Sequence, residues 1–141
     1  MSPAAPASLP GTEATLPAGQ PTLRVVPMPS DVNPAGDIFG GWVMSQVDIA
    51  GGIVAARVAQ CRIATVAVNA FQFRQPISVG DTVSFYAMVT RVGRTSITVD
   101  VQVFAERNPF SPVVVKVTEA TLTYVAINPD GSKRPLREDS Q

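Results

Sequence analysis

Between Trp42 and Ala56 the chain carries one charged residue, Asp48. The residues around it have helical spacing, with Val43, Val47, Ala50, Val54 and Val58 on one stripe. A carboxylate on a helix so poor in charge is costly to desolvate, which makes it a candidate for chemistry. It can act as a general base toward water or as a nucleophile in its own right. Upstream, Gly40 and Gly41 stand where such a helix would begin. Free N–H groups and the positive dipole end favour an oxygen that gains negative charge there. Glycine also lets a ligand approach the backbone closely. Asp37 is open to two kinds of reading, a structural one in which it caps the helix or orders the loop, and one in which it assists the site. Asn33 is equally open, between an Asx-turn beside Pro34 and a site residue.

The chain has no histidine. That excludes Ser-His-Asp and Cys-His systems, histidine general bases and zinc held by imidazole. No metal and no cofactor is expected. Formal net charge is zero, which argues against nucleic acid as a main partner. No apolar run approaches the length of a membrane span. The single cysteine, Cys61, cannot form an intrachain disulfide and is expected to be a buried small hydrophobe. A reducing cytoplasm fits that usage.

The elements that must position these residues follow from the pattern. With 141 residues, 45% hydrophobic and 16% charged, one domain with a sizeable core is expected. Residues 1–21 are rich in proline and alanine and are expected to be a flexible tail; the domain spans 22–135, and 136–141 is a polar tail. A short strand is expected at 22–26. Pro27, Pro29 and Pro34 then forbid regular structure up to the helix, expected over 41–59. Gly51-Gly52 in the helix interior implies that something approaches closely, since each glycine costs about 1 kcal/mol against alanine. After the helix the period changes to two, and strands are expected at 64–73, 82–92, 95–106 and 113–127. In the last of these the apolar set shifts by one position, predicting a β-bulge near Thr118-Glu119. A helix apolar on several faces is not covered by its own sheet alone, so pairing with a second copy is expected.

Several runs resemble one family. Pro29-Ser30-Asp31-Val32-Asn33, the run Gly36-Asp37-Ile38-Phe39-Gly40-Gly41-Trp42, and Met44-Ser45-Gln46 with Asp48 resemble the signature of the YciA-like acyl-CoA thioesterases. Pro76-Ile77-Ser78-Val79-Gly80-Asp81, Val92-Gly93-Arg94-Thr95-Ser96 and Val117-Thr118-Glu119-Ala120 extend the likeness over about residues 23–135. The resemblance implies an α+β hotdog fold, a curved antiparallel sheet wrapped around one long central helix. It implies hydrolysis of acyl-CoA thioesters by dimers, commonly grouped as trimers of dimers. It places the family's helix aspartate on Asp48, its glycine-rich helix start on Gly40 and Gly41, and its CoA-facing turn on Arg94, Thr95 and Ser96. Thr65 and Val66 join them as expected substrate contacts. A thiolate is a good leaving group, so this chemistry does not demand a histidine acid. The rival reading, a non-catalytic acyl-CoA-binding or sensing module, would need an output segment, and the Pro/Ala tail supplies none. Acyl-chain length would be set by which of Val43, Met44, Val47, Phe71 and Phe73 line the pocket.

Overall fold

The computed structural model describes residues 14–136, apart from the side chains of Ala70 and Phe71. Its elements follow the expected order. They are β1 (Leu23–Val25), the helix α1 (Gly40–Ala59), β2 (Arg62–Phe73), β3 (Thr82–Val92), β4 (Ser96–Arg107) and β5 (Val113–Ile127). The strands form one antiparallel sheet in the order β1-β3-β4-β5-β2. The sheet curls round α1, which packs against β2, β3, β4 and β5. This is the α+β hotdog arrangement. Most of the tail expected over 1–21, and 137–141 of the C-terminal tail, lie outside the described residues. Further along that N-terminal stretch, the Ala14 N–H donates to the Val114 carbonyl at 2.8 Å.

The period-two pattern sets the core. On β4, Ile97, Val99, Val101 and Val103 are fully buried, while Asp100 between them is exposed. On β5 the phase slips where Val103 pairs with Thr118 and Phe104 with Lys116, leaving Val117 as the extra residue. The bulge thus sits one position before the expected one. Its consequence is a buried Thr118, whose hydroxyl donates to the Gln72 carbonyl.

The helix meets the sheet through the expected stripe. Val43, Val47 and Ala50 are buried, and Val54 and Val58 pack against them. Its outward side is not covered. Met44 and Ile49 remain 46% and 48% exposed, and Val66 and Val68 on the edge strand β2 are exposed as well, at 56% and 40%. Asp48 borders this open side of the helix and is only half-buried. Cys61, just past the helix, is also part-exposed rather than buried, because the chain turns there between α1 and β2.

The segment before the helix is more ordered than its prolines suggest. Pro29–Asp31 is a 3-10 turn, and Val32 bridges to Ile38. Gly36 has φ +92°, which closes this loop in a conformation a side chain would strain. The Ile38 N–H donates to the Ile77 carbonyl at 2.9 Å, which ties the helix start to the loop after β2. A buried ion pair braces that loop. Arg107 Nε lies 3.2 Å from Asp81 Oδ2, the same oxygen accepts the Ser78 N–H at 3.0 Å, and Arg107 Nη2 donates to the Pro76 carbonyl.

Candidate functional site

Asp48 sits in the third turn of α1, facing the end of the sheet where β2 begins and β5 ends. There Thr65 pairs with Tyr124, and Tyr124 with Ile97, in one row across three strands. Two hydroxyls of this row reach the carboxylate. Thr65 Oγ1 donates to Asp48 Oδ1 at 2.6 Å, and the Tyr124 hydroxyl lies 3.1 Å from the same oxygen. The Tyr124 hydroxyl also lies 2.9 Å from the Asp48 main-chain carbonyl. Burial first, and the nearby Asp48 charge second, raise the Tyr124 phenol well above its ordinary range. It is therefore protonated, and a donor, at neutral pH.

Gly51 explains how a tyrosine gets so close. A Cβ built on Gly51 would lie 2.3 Å from the Tyr124 oxygen, whereas one on Gly52 would meet nothing nearer than 3.9 Å. The close approach expected from the glycine pair is thus specific to Gly51, and what approaches is Tyr124. No reading of the strand singled Tyr124 out, because it occupies an ordinary apolar position of β5.

The other half lies at the far end of α1. The helix starts without a side-chain cap, with Phe39 at the N-cap position. The N–H groups of Trp42 and Val43 both turn back to the Phe39 carbonyl. Those of Gly40 and Gly41 have no acceptor among the described residues. Gly41 is exposed, with nothing within 4 Å of a built Cβ, while a Cβ built on Gly40 would lie 3.5 Å from the Phe73 ring. Beside them is a cavity of about 340 Å³ lined by Asn33, Asp37, Val43 and Phe73 among others. Asn33 Oδ1 accepts the N–H groups of Ala35 and Asp37 at 3.0 and 3.1 Å, the Asx-turn expected beside Pro34. Asp37 does not cap the helix; its backbone closes this turn and its residue borders the cavity. Of the pocket residues expected from sequence, Val43 and Phe73 line the cavity. Val47 is buried in the core, Met44 lies on the open side of α1, and the Phe71 side chain is outside those described.

Arg94, Thr95 and Ser96 form the β3–β4 hairpin at the Asp48 end of the sheet, next to the Thr65–Tyr124–Ile97 row. Arg94 is exposed, its carbonyl accepting the Leu136 N–H at 2.8 Å. The structure therefore gathers Asp48, Thr65 and the hairpin at one end, and Asn33, Asp37, Gly40 and Gly41 at the other. Val66 stands exposed on the edge strand between them. Thr65, expected among substrate contacts, is engaged with Asp48 itself. Among the described residues, no cluster of acidic or sulfur side chains could hold a metal ion, and no helix is long and apolar enough to cross a membrane.

A fold of this kind with a carboxylate on its central helix defines a class. The thioesterase superfamily model matches residues 35–109, and the chain belongs to that family. It is 45% identical over 122 residues to the acyl-CoA thioester hydrolase YciA of Salmonella typhimurium, covering 85% of this chain and 92% of that one. A hexameric hotdog-fold thioesterase of Campylobacter jejuni superposes with a TM-score of 0.82 at 44% identity, over 86% of this chain and 93% of that one. An aspartate-to-alanine mutant of a hexameric broad-specificity acyl-coenzyme A thioesterase superposes with a TM-score of 0.81 at 43% identity, over 87% and 91%.

Proposed function

We propose that the chain hydrolyses acyl-CoA thioesters to a carboxylic acid and CoA, at a site completed by two copies of itself. The observation that carries this reading is the Asp48 carboxylate, half-exposed on the open side of α1 and held on one oxygen by the Thr65 and Tyr124 hydroxyls. The relatives, acyl-CoA thioesterases by name, support the substrate class. One water is consumed. Either Asp48 takes its proton as it attacks the carbonyl carbon, or Asp48 attacks first and water then opens the anhydride. In both routes the C–S bond breaks, the thiolate leaves and it regains a proton. The Gly41 N–H, the more open of the two, receives the carbonyl oxygen as it gains charge, with Gly40 beside it.

Reach requires the second copy. Gly40 and Asp48 lie on one continuous helix, about 12 Å apart along its axis at 1.5 Å per residue. One thioester carbonyl does not touch both. The edge strand β2 runs from Thr65, beside Asp48, to Phe73, beside Gly40. Two β2 edges paired antiparallel about Asn69 would set Thr65 of one copy opposite Phe73 of the other, closing both open apolar sides. Asp48 of one chain then faces the helix start and cavity of its partner, where Asn33 and Asp37 assist. The hexameric relatives support a trimer of such dimers. In this reading Arg94, with Thr95 and Ser96, meets the CoA phosphates, since guanidinium matches phosphate oxygens. No cofactor enters this chemistry. With its single cysteine the protein suits the reducing cytoplasm.

The direct test is free-thiol release from short-, medium- and long-chain acyl-CoAs, read with a thiol reagent. Turnover of at least one length class is expected. Tight binding of every length without thiol release would overturn the reading in favour of a sensing module.

A further inference from the structure

We propose that Tyr124 is a positioning residue of this site: with Thr65 it ties down Oδ1 of Asp48, so that Oδ2 is the oxygen presented to the reacting atoms. The inference rests on the hydrolase reading above and adds to it a residue, a donor arrangement and a choice of oxygen. Three observations carry it. Both hydroxyl donors converge on Oδ1, at 2.6 and 3.1 Å, and no hydrogen bond among the described residues goes to Oδ2. The Tyr124 hydroxyl has one proton and also lies 2.9 Å from the Asp48 main-chain carbonyl, so that O–H is shared between the carbonyl and Oδ1 and bridges the side chain to its helix turn. And the helix carries a glycine at position 51, where a Cβ would lie 2.3 Å from that hydroxyl and 3.1 Å from the ring carbon bearing it.

A tyrosine placed only to fill the core would not need this. Tyr124 is 1% exposed and already packs among apolar residues, where a phenylalanine would do as well. The hydroxyl makes the closest approach to Gly51, with two ring carbons behind it at 3.1 and 3.2 Å from the same Cβ position. The ion pairs among the described residues, Arg74 and Lys116 with Glu119 and Arg107 with Asp81, leave Asp48 without a cation. Its geometry therefore depends on these two neutral donors. Fixing one oxygen also fixes the plane of the carboxylate, which orients the other toward a water or a carbonyl carbon.

The test compares Tyr124→Phe, Gly51→Ala and Gly52→Ala with the wild type in the full chain. In Tyr124→Phe, kcat is expected to fall about tenfold, with KM within about twofold, because the interaction lost acts on the reacting group and not on CoA. Gly51→Ala, which keeps the phenol but displaces it, gives the same kcat loss with KM again little changed. Gly52→Ala, whose Cβ meets only ordinary contacts at 3.9 and 4.0 Å, leaves kcat and KM unchanged. A second readout needs no turnover. The carbon-13 resonance of the Asp48 carboxyl carbon, assigned by its loss in Asp48→Asn, moves at neutral pH in Tyr124→Phe and in Gly51→Ala, and stays in place in Gly52→Ala. If the wild type releases no thiol, the hydrolase reading fails while this resonance still tests the contact. An unmoved resonance and an unchanged kcat in Tyr124→Phe would overturn the proposal. So would a kcat loss in all three variants that merely follows a lower Tm.

Discussion

Replacing Asp48 with alanine is expected to lower thiol release from acyl-CoA by about a thousandfold or more, while the fold and the assembly persist. The asymmetry between activity and stability follows from what Asp48 touches. Its side chain is half-buried on the open side of α1 and contributes no apolar contact to the core. Alanine is the best helix former, so the backbone gains where the side chain is lost. Of the two donors released, Thr65 is exposed and turns to water. Tyr124 keeps its bond to the main-chain carbonyl at 2.9 Å. The net change in stability is therefore expected within about 1 kcal/mol. Asp48→Asn sharpens the point. Its amide oxygen accepts the same two hydroxyls, but it neither takes a proton from water nor attacks a carbonyl as a carboxylate does. Loss of turnover with an unchanged Tm and unchanged size-exclusion volume isolates the charge as the cause. Full activity of the alanine variant would remove Asp48 from the mechanism.

The largest effect on stability is expected at the Asp81–Arg107 pair. Its side chains are 5% and 7% exposed, so each charge relies on the other in place of water. Asp81→Ala strands a buried guanidinium and also leaves the Ser78 N–H without its acceptor. Removing one partner of such a pair costs about 3–5 kcal/mol, a large share of the 5–15 kcal/mol that holds a typical domain together. The double replacement Asp81→Leu with Arg107→Met is expected to recover most of that loss, because no unpaired charge remains. It does not restore the tether on the Pro76 carbonyl, one residue from the Ile77 carbonyl on which Ile38 hangs. Turnover should therefore stay low after stability has returned, since the helix start is less well held. Arg74→Ala is the control. Its pair with Glu119 is about half exposed, at 52% and 42%, and is expected to be worth less than about 1 kcal/mol. Urea unfolding of the variants reads all of this. An Asp81→Ala variant as stable as the control would show that water or a rearranged loop replaces the pair.

Much of this architecture is written in local pattern. The helix begins within one residue of its expected start, because the Gly40-Gly41 pair and the 3.6-residue stripe mark it together. The fifth strand has its expected bounds, and its bulge betrays itself through the one-residue slip of apolar positions. Asp48 stood out because its neighbours carry no charge. What pattern could not carry is pairing at a distance. Asp48 and Tyr124 are 76 positions apart, and only the strand register β2-β5-β4 brings the tyrosine under the helix. Thr65 reads as a substrate contact on an exposed strand until the same register turns it toward the carboxylate. The glycine pair gave notice that something approaches the helix, without saying what. The open side of α1 is a similar case. An all-apolar helix predicts burial, but the chain's own sheet leaves Met44 and Ile49 about half exposed, the side that the proposed second copy would cover.

That dependence on a second chain is the claim most open to direct measurement. Asp48→Ala chains and Gly41→Pro chains are each expected to be inactive. The second lacks the amide that receives the carbonyl oxygen, and proline is accepted in the first turn of a helix. The two are unfolded together in equal amounts, refolded, and assayed for thiol release. If each site takes Asp48 from one chain and the helix start from its partner, half of the dimers are hybrids with one intact site of two. The mixture then regains about a quarter of wild-type activity. A mixture as inactive as its parents would contradict the account, placing both halves of the site within one chain.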